Sequence, residues 1–170
     1  MRYEWEERKL SDVCSYRRER VEVESLKIED YISTANMLPN RGGIQEAENL
    51  PTSKTISKFY LDDVLVSNIR PYFKKIWHAT GNGGCSNDVL VFQAKQGMDP
   101  TYLYYLLSSD PFFAYMTATS KGTKMPRGDK EAIMNYEISV PGSQSQKGIA
   151  RLLSCLDKKI ELNNKINENL

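Results

Sequence analysis

Hydrophobic positions in the first hundred residues fall in short runs that are separated by turn-forming residues. An extended segment is predicted over residues 3–16, with Trp5 as its anchor. Strands are predicted over residues 31–34, 64–67, 74–78 and 89–92. Residues 35–55 carry dense turn signals and predict one long loop. Short strands at this close spacing indicate a mainly antiparallel, curled sheet.

Two helix starts follow, each marked by an acidic residue before a proline. Asp99-Pro100 and Asp110-Pro111 both have an N-cap carboxylate ahead of proline at the first helical position. A short helix near residues 130–134 and a strand over residues 136–140 come next. The predicted fold class is therefore α+β, with short helices on the curled sheet.

From Ser143 to Leu170 the pattern changes to that of one long helix, roughly 40 Å in length. Ser143 and Gln146 have the spacing of a capping box. Apolar and amide residues then alternate by four and three, as on a coiled-coil seam. The seam residues are Ile149, Leu153, Leu156, Ile160, Asn163, Asn167 and Leu170. We expect a domain over residues 1–142 and a partner-binding helix over residues 143–170; the alternative is that the helix folds back on its own domain.

Composition is that of a soluble globular protein, with 40% hydrophobic and 26% charged residues and a net charge of +1. No apolar run is long enough to span a bilayer, and the first residues lack the apolar region of a signal peptide. Three widely spaced cysteines, Cys14, Cys85 and Cys155, fit reduced thiols better than a disulfide framework. We therefore expect a cytoplasmic protein that does not bind membranes.

The most basic stretch, residues 121–130, contains four cations and only one acid. Gly122, Pro126 and Gly128 are turn residues, so the stretch predicts an exposed loop. Lysines beside the Thr123 hydroxyl and free backbone N–H groups suit phosphate oxygens, and Arg127 can also fork onto a guanine edge. The alternative interpretation is a solvated surface turn.

Catalytic and metal-binding motifs are not found in the sequence. His78 is the single histidine and Cys-x-x-Cys does not occur, so a zinc site is not expected. The glycine run over residues 81–84 lacks the spacing of a phosphate-binding loop and predicts a hairpin turn. Residues 68–72 and 110–113 echo the amino-methyltransferase signature without its double proline. We expect no catalytic residues, metal or cofactor; a small adenine methyltransferase or nuclease fragment is the disfavoured enzymatic alternative.

Four stretches, in order along the chain, resemble the DNA-specificity subunits of type I restriction-modification systems. Residues 64–71 resemble the family's GDILVSNIRP segment, and residues 84–91 resemble the segment that follows it. Residues 121–127 match the family's late basic loop. Residues 140–160 resemble the entry into its conserved helix, except that Gln144-Ser145 replaces a frequent Leu-Glu pair.

This resemblance implies a non-catalytic chain that binds double-stranded DNA. Subunits of the family carry two target-recognition domains, each for one half of a bipartite site. Conserved helices separate the domains and bind methyltransferase subunits, and restriction subunits complete the complex. One domain and one helix are half of that arrangement, so the chain is either a natural half-subunit or a truncated subunit. In the half-subunit case, two copies would pair through the seam and recognise a symmetric bipartite site. The alternative is a decoy that occupies the methyltransferase subunit without reading DNA.

DNA recognition is expected in two tiers. The lysines assigned to phosphates are Lys54, Lys58, Lys74, Lys75, Lys121, Lys124 and Lys130. The residues assigned to base edges are Arg41, Asn68, Arg70, Thr123 and Arg127. For Arg70, a structural ion pair with Asp62 or Asp63 is the alternative.

Overall fold

The structure is a computed structural model that describes residues 4–169. The strands are β1 Trp5–Lys9, β2 Cys14–Tyr16, β3 Arg20–Glu22, β4 Tyr31–Ile32, β5 Thr55–Phe59, β6 Val64–Ser67, β7 Ile76–His78, β8 Gly83–Cys85, β9 Val89–Ala94 and β10 Glu137–Pro141. The α-helices are α1 Leu10–Val13, α2 Pro100–Leu107, α3 Asp110–Ala118, α4 Lys130–Met134 and α5 Ser143–Glu168. Three short 3₁₀ turns lie at Val23–Ser25, Ile28–Asp30 and Pro71–Phe73.

Antiparallel pairing dominates, and the predicted α+β class is confirmed. β1 pairs with β10, β2-β9-β6-β7 form one four-stranded sheet, and β3-β5-β8-β4 form another. Within residues 4–169 the β4–β8 pair alone is parallel. The strands that the sequence predicts in one curled sheet are thus divided among three sheets. The sequence does not indicate the sheet β3-β5-β8-β4, because β3, β5 and β8 lie in segments with weak strand signals.

The sheet β2-β9-β6-β7 is covered on both faces, which explains the uninterrupted apolar run of β6. Val64 and Val66 face the largest core, together with side chains from α2 and α3. Leu65 faces a second core that contains Phe59 and Cys85 of the other four-stranded sheet. A strand buried on both faces needs apolar residues at consecutive positions.

The predicted start of α2 is confirmed, whereas that of α3 is wrong by one residue. The Asp99 carboxylate accepts the Tyr102 N–H at 2.9 Å. At α3 the cap is Ser109, whose hydroxyl accepts the Phe112 N–H at 3.4 Å. Asp110 is the first helical residue instead, and its carboxylate binds two cations that come from distant loops.

The glycine run is not simply a hairpin turn, because Gly83 and Gly84 form part of the buried strand β8. A Cβ atom on Gly83 would lie 2.2 Å from the Asp30 carbonyl oxygen, and one on Gly84 would lie 2.6 Å from the Ile56 side chain. Glycine is therefore required here by close approach of neighbouring segments, which a local turn signal does not reveal.

Trp5 does not anchor the opening strand, because 51% of its surface is exposed. All five residues of β1 are exposed. β1 is held by backbone pairing with β10 over its whole length, from Trp5 opposite Pro141 to Lys9 opposite Glu137. The predicted extended segment is confirmed as a strand, but main-chain hydrogen bonds hold it rather than a buried indole.

The predicted capping box at the start of α5 is wrong. The N-cap is Gly142, and Ser143 is already helical. The Gln146 side chain is 4% exposed and points into the domain. Its amide nitrogen donates to the carbonyl oxygens of Pro141 (2.9 Å) and Gly97 (3.3 Å), and its oxygen accepts the Asp99 N–H (2.9 Å). These three hydrogen bonds fasten the start of α5 to the domain. Losing them would leave buried polar groups without partners, which is costly.

The two halves of α5 differ in burial. Near the start, Ala150 is buried and Ile149 packs on the largest core, so part of the predicted seam serves the chain's own domain. Residues 155–169 are all exposed. Leu170 lies outside the described residues. None of the helices in residues 4–169 is long and apolar enough to cross a membrane.

Candidate nucleic-acid interface

The basic loop, residues 121–128, is closed on itself and docked on the segment that follows β6. Lys121 and Arg127 exchange two backbone hydrogen bonds, of 2.8 and 2.9 Å. The Arg70 N–H donates to the Pro126 carbonyl oxygen at 2.8 Å, and the Gly128 N–H donates to that of Asn68 at 3.1 Å. Two of the stretches that the sequence singles out are therefore adjacent in the fold.

A third segment joins them through backbone hydrogen bonds. The Asn40 N–H donates to the Phe73 carbonyl oxygen (2.8 Å), and the Arg41 N–H donates to that of Lys74 (2.9 Å). Asn40, Arg41, Arg70 and Lys74 all have positive φ, between 49° and 61°. Left-handed backbone at non-glycine residues costs conformational energy and concentrates at functional sites. We call residues 39–42, 70–75 and 121–128 together the basic surface.

Lys124 and Arg127 are predicted site residues that this surface exposes, whereas Arg70 is half-buried in it. Lys124 is exposed, and within residues 4–169 it makes no ion pair. The Arg127 side chain is 56% exposed and its Nη2 lies 3.1 Å from Asp88 Oδ1. That carboxylate orients the guanidinium and leaves other N–H groups free to bind.

The alternative ion pair for Arg70 is not formed. Asp63 is held by Arg17, with Nη2 2.8 Å from Oδ1, and Asp62 lies 3.5 Å from His78 Nε2. Arg70 is half-buried and makes no ion pair with an acid in the described part of the chain. Its guanidinium is available for an external acceptor.

Arg41 and Lys74 are engaged in a structural network around Asp110. The carboxylate lies 2.5 Å from Arg41 Nη2 and 2.8 Å from Lys74 Nζ. Arg41 Nε also donates to the Ser108 carbonyl oxygen. Hydrogen bonds from Lys74 and Arg41 lower the pKa of Asp110 to about 2. Arg41 holds the long loop against α3, and Lys74 holds the turn after β6 there. Arg41 is thus restrained, and its assignment to base edges stays a prediction.

Two further assignments are at odds with the packing. Asn68 is 7% exposed and lies beneath Gly128, so a base edge cannot reach its amide without loop movement. Lys75 Nζ donates to the Thr34 carbonyl oxygen at 2.6 Å, and burial lowers the pKa of this amine. The sequence does not reveal these restraints because both partners are distant or lie in loops.

The remaining predicted residues vary in their surroundings. Thr123, Lys54 and Lys130 are exposed. Lys121 forms an ion pair with Asp129 at the start of α4, and this hydrogen bond raises the pKa of the lysine. Lys58 lies over the Tyr60 ring at 4.6 Å. Lys54 and Lys58 belong to the β5 region, outside the segments that form the basic surface.

The sequence interpretation misses three apolar side chains on the basic surface. Tyr72, Phe73 and Met125 are 47%, 40% and 48% exposed. The sequence does contain a signal for these three residues: each lies in a turn segment that is flanked by arginine and lysine. Their role is considered below.

The described residues carry little that supports catalysis. In residues 4–169 no group of three or more His, Cys, Asp or Glu side chains is arranged to hold a metal ion. Burial raises the pKa of the Cys14 and Cys85 thiols to about 12, so neither supplies a thiolate at neutral pH. The polar side chains of the basic surface suit an anionic ligand.

Comparison with known proteins identifies the family. The family model for the type I restriction modification DNA specificity domain matches residues 3–170. The chain belongs to this family. The predicted family is thereby confirmed.

Curated relatives agree with the family assignment. The chain is 26% identical over 178 aligned positions to the type I restriction enzyme HindI specificity subunit of Haemophilus influenzae, covering 98% of this chain and 38% of the relative. It is 24% identical to the EcoDI specificity subunit of Escherichia coli, covering 72% of this chain and 29% of the relative. The chain thus spans less than half the length of these two relatives.

Solved structures share the fold. One is a chain from a structure that concerns complex assembly and conformational transition of the type I R-M system. It superposes with a TM-score of 0.76 and 21% identity, and the match covers 99% of the present chain and 46% of the solved one. The HsdS subunit from Thermoanaerobacter tengcongensis gives 0.74 and 20%, covering 95% of this chain and 44% of its own length.

Proposed function

We propose that the chain is a sequence-specific DNA-binding component of a type I restriction-modification complex, and that it reads one half of a bipartite target. The observation that carries this proposal is the junction of three distant segments into one strained, cationic surface. Arg70 and Arg127 are open to an external acceptor there, and the backbone of both is fixed by hydrogen bonds. Guanidinium groups carried on a fixed backbone suit direct contact with base edges.

Phosphates form the second tier of contacts. Lys124, Lys54 and Lys130 are exposed cations that suit phosphate oxygens, and the Thr123 hydroxyl adds a donor. Lys74 and Arg41 support the surface from behind through Asp110. Because lysine contacts release condensed counterions, affinity for all DNA falls as salt rises.

The exposed half of α5 supports assembly with partners. Leu156, Ile160, Leu162 and Ile166 are each at least 50% exposed. At 3.6 residues per turn they lie on one broad face, together with Asn163 and Asn167. A second copy of the chain would cover this face by coiled-coil packing, and the two basic surfaces would then read a symmetric, interrupted site. The methyltransferase and restriction subunits of the complex are the further partners.

The same exposed face favours one competing function. A decoy that occupies the methyltransferase subunit through α5 needs the apolar face but has no use for a sequence-reading surface. The positive φ angles of Arg70 and Lys74 favour the recognition function, since a decoy would gain nothing from that strain.

Mapping N6-methyladenine in a genome tests the proposal. The chain is expressed with a modification subunit in a host that lacks other adenine methylation. We expect a new methylated motif that is symmetric and interrupted. The Arg70→Ala/Arg127→Ala double variant, expressed equally, should abolish or relax that motif. An intact complex without any new motif would contradict DNA reading and leave the decoy function.

A further inference from the structure

Tyr72 and Phe73 form an exposed aromatic pair on the basic surface. Their ring centroids are 4.8 Å apart with the planes tilted by 57°. About half of Tyr72 is exposed, and Met125 of the basic loop is exposed to the same degree. Neither aromatic residue belongs to any of the three hydrophobic cores.

The backbone that carries the pair is stiff. Pro71, which is buried, begins the 3₁₀ turn, and left-handed residues bound it at both ends, with φ of 49° at Arg70 and 51° at Lys74. The Phe73 carbonyl oxygen accepts the Asn40 N–H, which ties the turn to the long loop. The aromatic pair is thus displayed by a strained and braced turn rather than by a mobile loop.

The charge around the pair selects the kind of ligand. Arg70 precedes it, Lys74 and Lys75 follow it, and Lys124 and Arg127 lie on the adjoining basic loop. The nearby carboxylates of Asp110 and Asp88 are both paired with cations of this surface. Apolar rings within a cationic rim match DNA, whose stacked bases lie between rows of phosphates.

We propose that the Tyr72–Phe73 turn is a wedge that presses into one base step of the DNA and partly unstacks it. Tyr72 leads because it is the more exposed ring, Phe73 supports it, and Lys124 holds a flanking phosphate. This inference rests on the proposed function and adds a role that guanidinium contacts alone do not require. Apolar side chains that enter a base step exchange unstacking energy for a bent, more extensively contacted duplex.

Defects in the DNA test the wedge. The complex of the chain with a modification subunit first selects its target from random-sequence duplexes. An abasic site or a mismatch is then introduced at each position of that target, and binding is measured by competition. For wild type we expect one step in each half-site, besides the base that the methyltransferase extrudes, at which a defect tightens binding by roughly tenfold or more, because the unstacking is already done. Tyr72→Ala should lose that preference, and Tyr72→Phe should keep it.

Controls separate the wedge from other causes. Leu61→Ala removes an apolar side chain that is at least as exposed, from the turn between β5 and β6, and should leave the defect preference unchanged. A methyltransferase that extrudes its target base also favours defects, but that preference does not depend on Tyr72. Melting curves verify that each variant is folded.

The outcomes separate the inference from the proposed function. A defect profile that is identical in wild type and Tyr72→Ala, with the target still selected, overturns the wedge alone. A wild-type complex that selects no sequence overturns the proposed function and the wedge with it.

Discussion

Arg41, Lys124 and Arg127 show why residue type alone does not assign a role on the basic surface. Arg41 is engaged by Asp110 and Ser108 and supports the loops. Arg127 is held by a single carboxylate and keeps most of its donors free, so it has a defined direction. Lys124 has no such restraint and offers a mobile charge. A restrained guanidinium group, with its donors in a fixed plane, can discriminate bases, whereas a mobile ammonium group only attracts phosphates.

Arg127→Ala and Lys124→Ala should therefore differ in kind. We expect Arg127→Ala to relax the choice of base at one target position by roughly 1–3 kcal/mol. We expect Lys124→Ala to weaken binding to all sequences alike and to reduce the salt slope by about one. Competition titrations of matched and mismatched duplexes at several salt concentrations measure both quantities. Equal effects of the two variants on specificity would refute this division.

Asp110 provides a pH test of the loop network. Arg41 and Lys74 depress its folded-state pKa to about 2. A depressed carboxyl pKa means that its stabilising effect is complete above the unfolded value of about 4 and disappears as pH falls towards 2. Asp110→Asn should lower the melting temperature at pH 6, and the difference from wild type should shrink below about pH 4. A difference that persists at pH 2 would show that the charge is not responsible.

At the scale of elements, local signals predict most helices and the central strands well. β6 is correct in type and bounds because a strand buried on both faces reads as a continuous apolar run. α2 is correct because its start depends on Asp99 and Pro100, which are adjacent in sequence. The roles of Gly84 and Gln146 are not predicted from their neighbours in sequence, because each residue contacts segments that are far away in the chain. The same holds for the site: the basic loop is visible in the sequence, but the burial of Asn68 beneath it is not.

Gln146→Ala measures how strongly the start of α5 is fastened to the domain. The substitution leaves the Asp99 N–H and two carbonyl oxygens without their partner in a buried setting. We expect the free energy of unfolding to fall by about 2–4 kcal/mol. Gln144→Ala, at an exposed position of the same helical turn, should change it by less than about 0.5 kcal/mol. Chemical denaturation of both variants gives the comparison, and equal values would show that the buried amide does not fasten the helix.

The molecule as a whole combines a net charge close to zero with a concentrated cationic surface and a helix whose second half is uncovered. The charge of +1 conceals this arrangement, because acids paired within the basic surface balance part of its cations. The basic surface is assembled by the domain, whereas the exposed half of α5 extends beyond the packing that its first turns make. Under the proposed function, DNA reading and assembly rest on separate parts of the chain, so we expect each to be removable without the other.

Ile160→Asp should remove assembly while it leaves the basic surface intact. Ile160 is 58% exposed, so the charge does not disturb the domain, but it would be buried without a partner in a helix pair. We expect the wild-type chain to form dimers at tens of micromolar, as coiled-coil seams of this length are weak, and the variant to sediment as a monomer. Lys158→Ala makes the same change of net charge away from the apolar face and should remain dimeric. If wild type is monomeric throughout, the homodimer is refuted, and the methyltransferase subunit remains the proposed occupant of the exposed face.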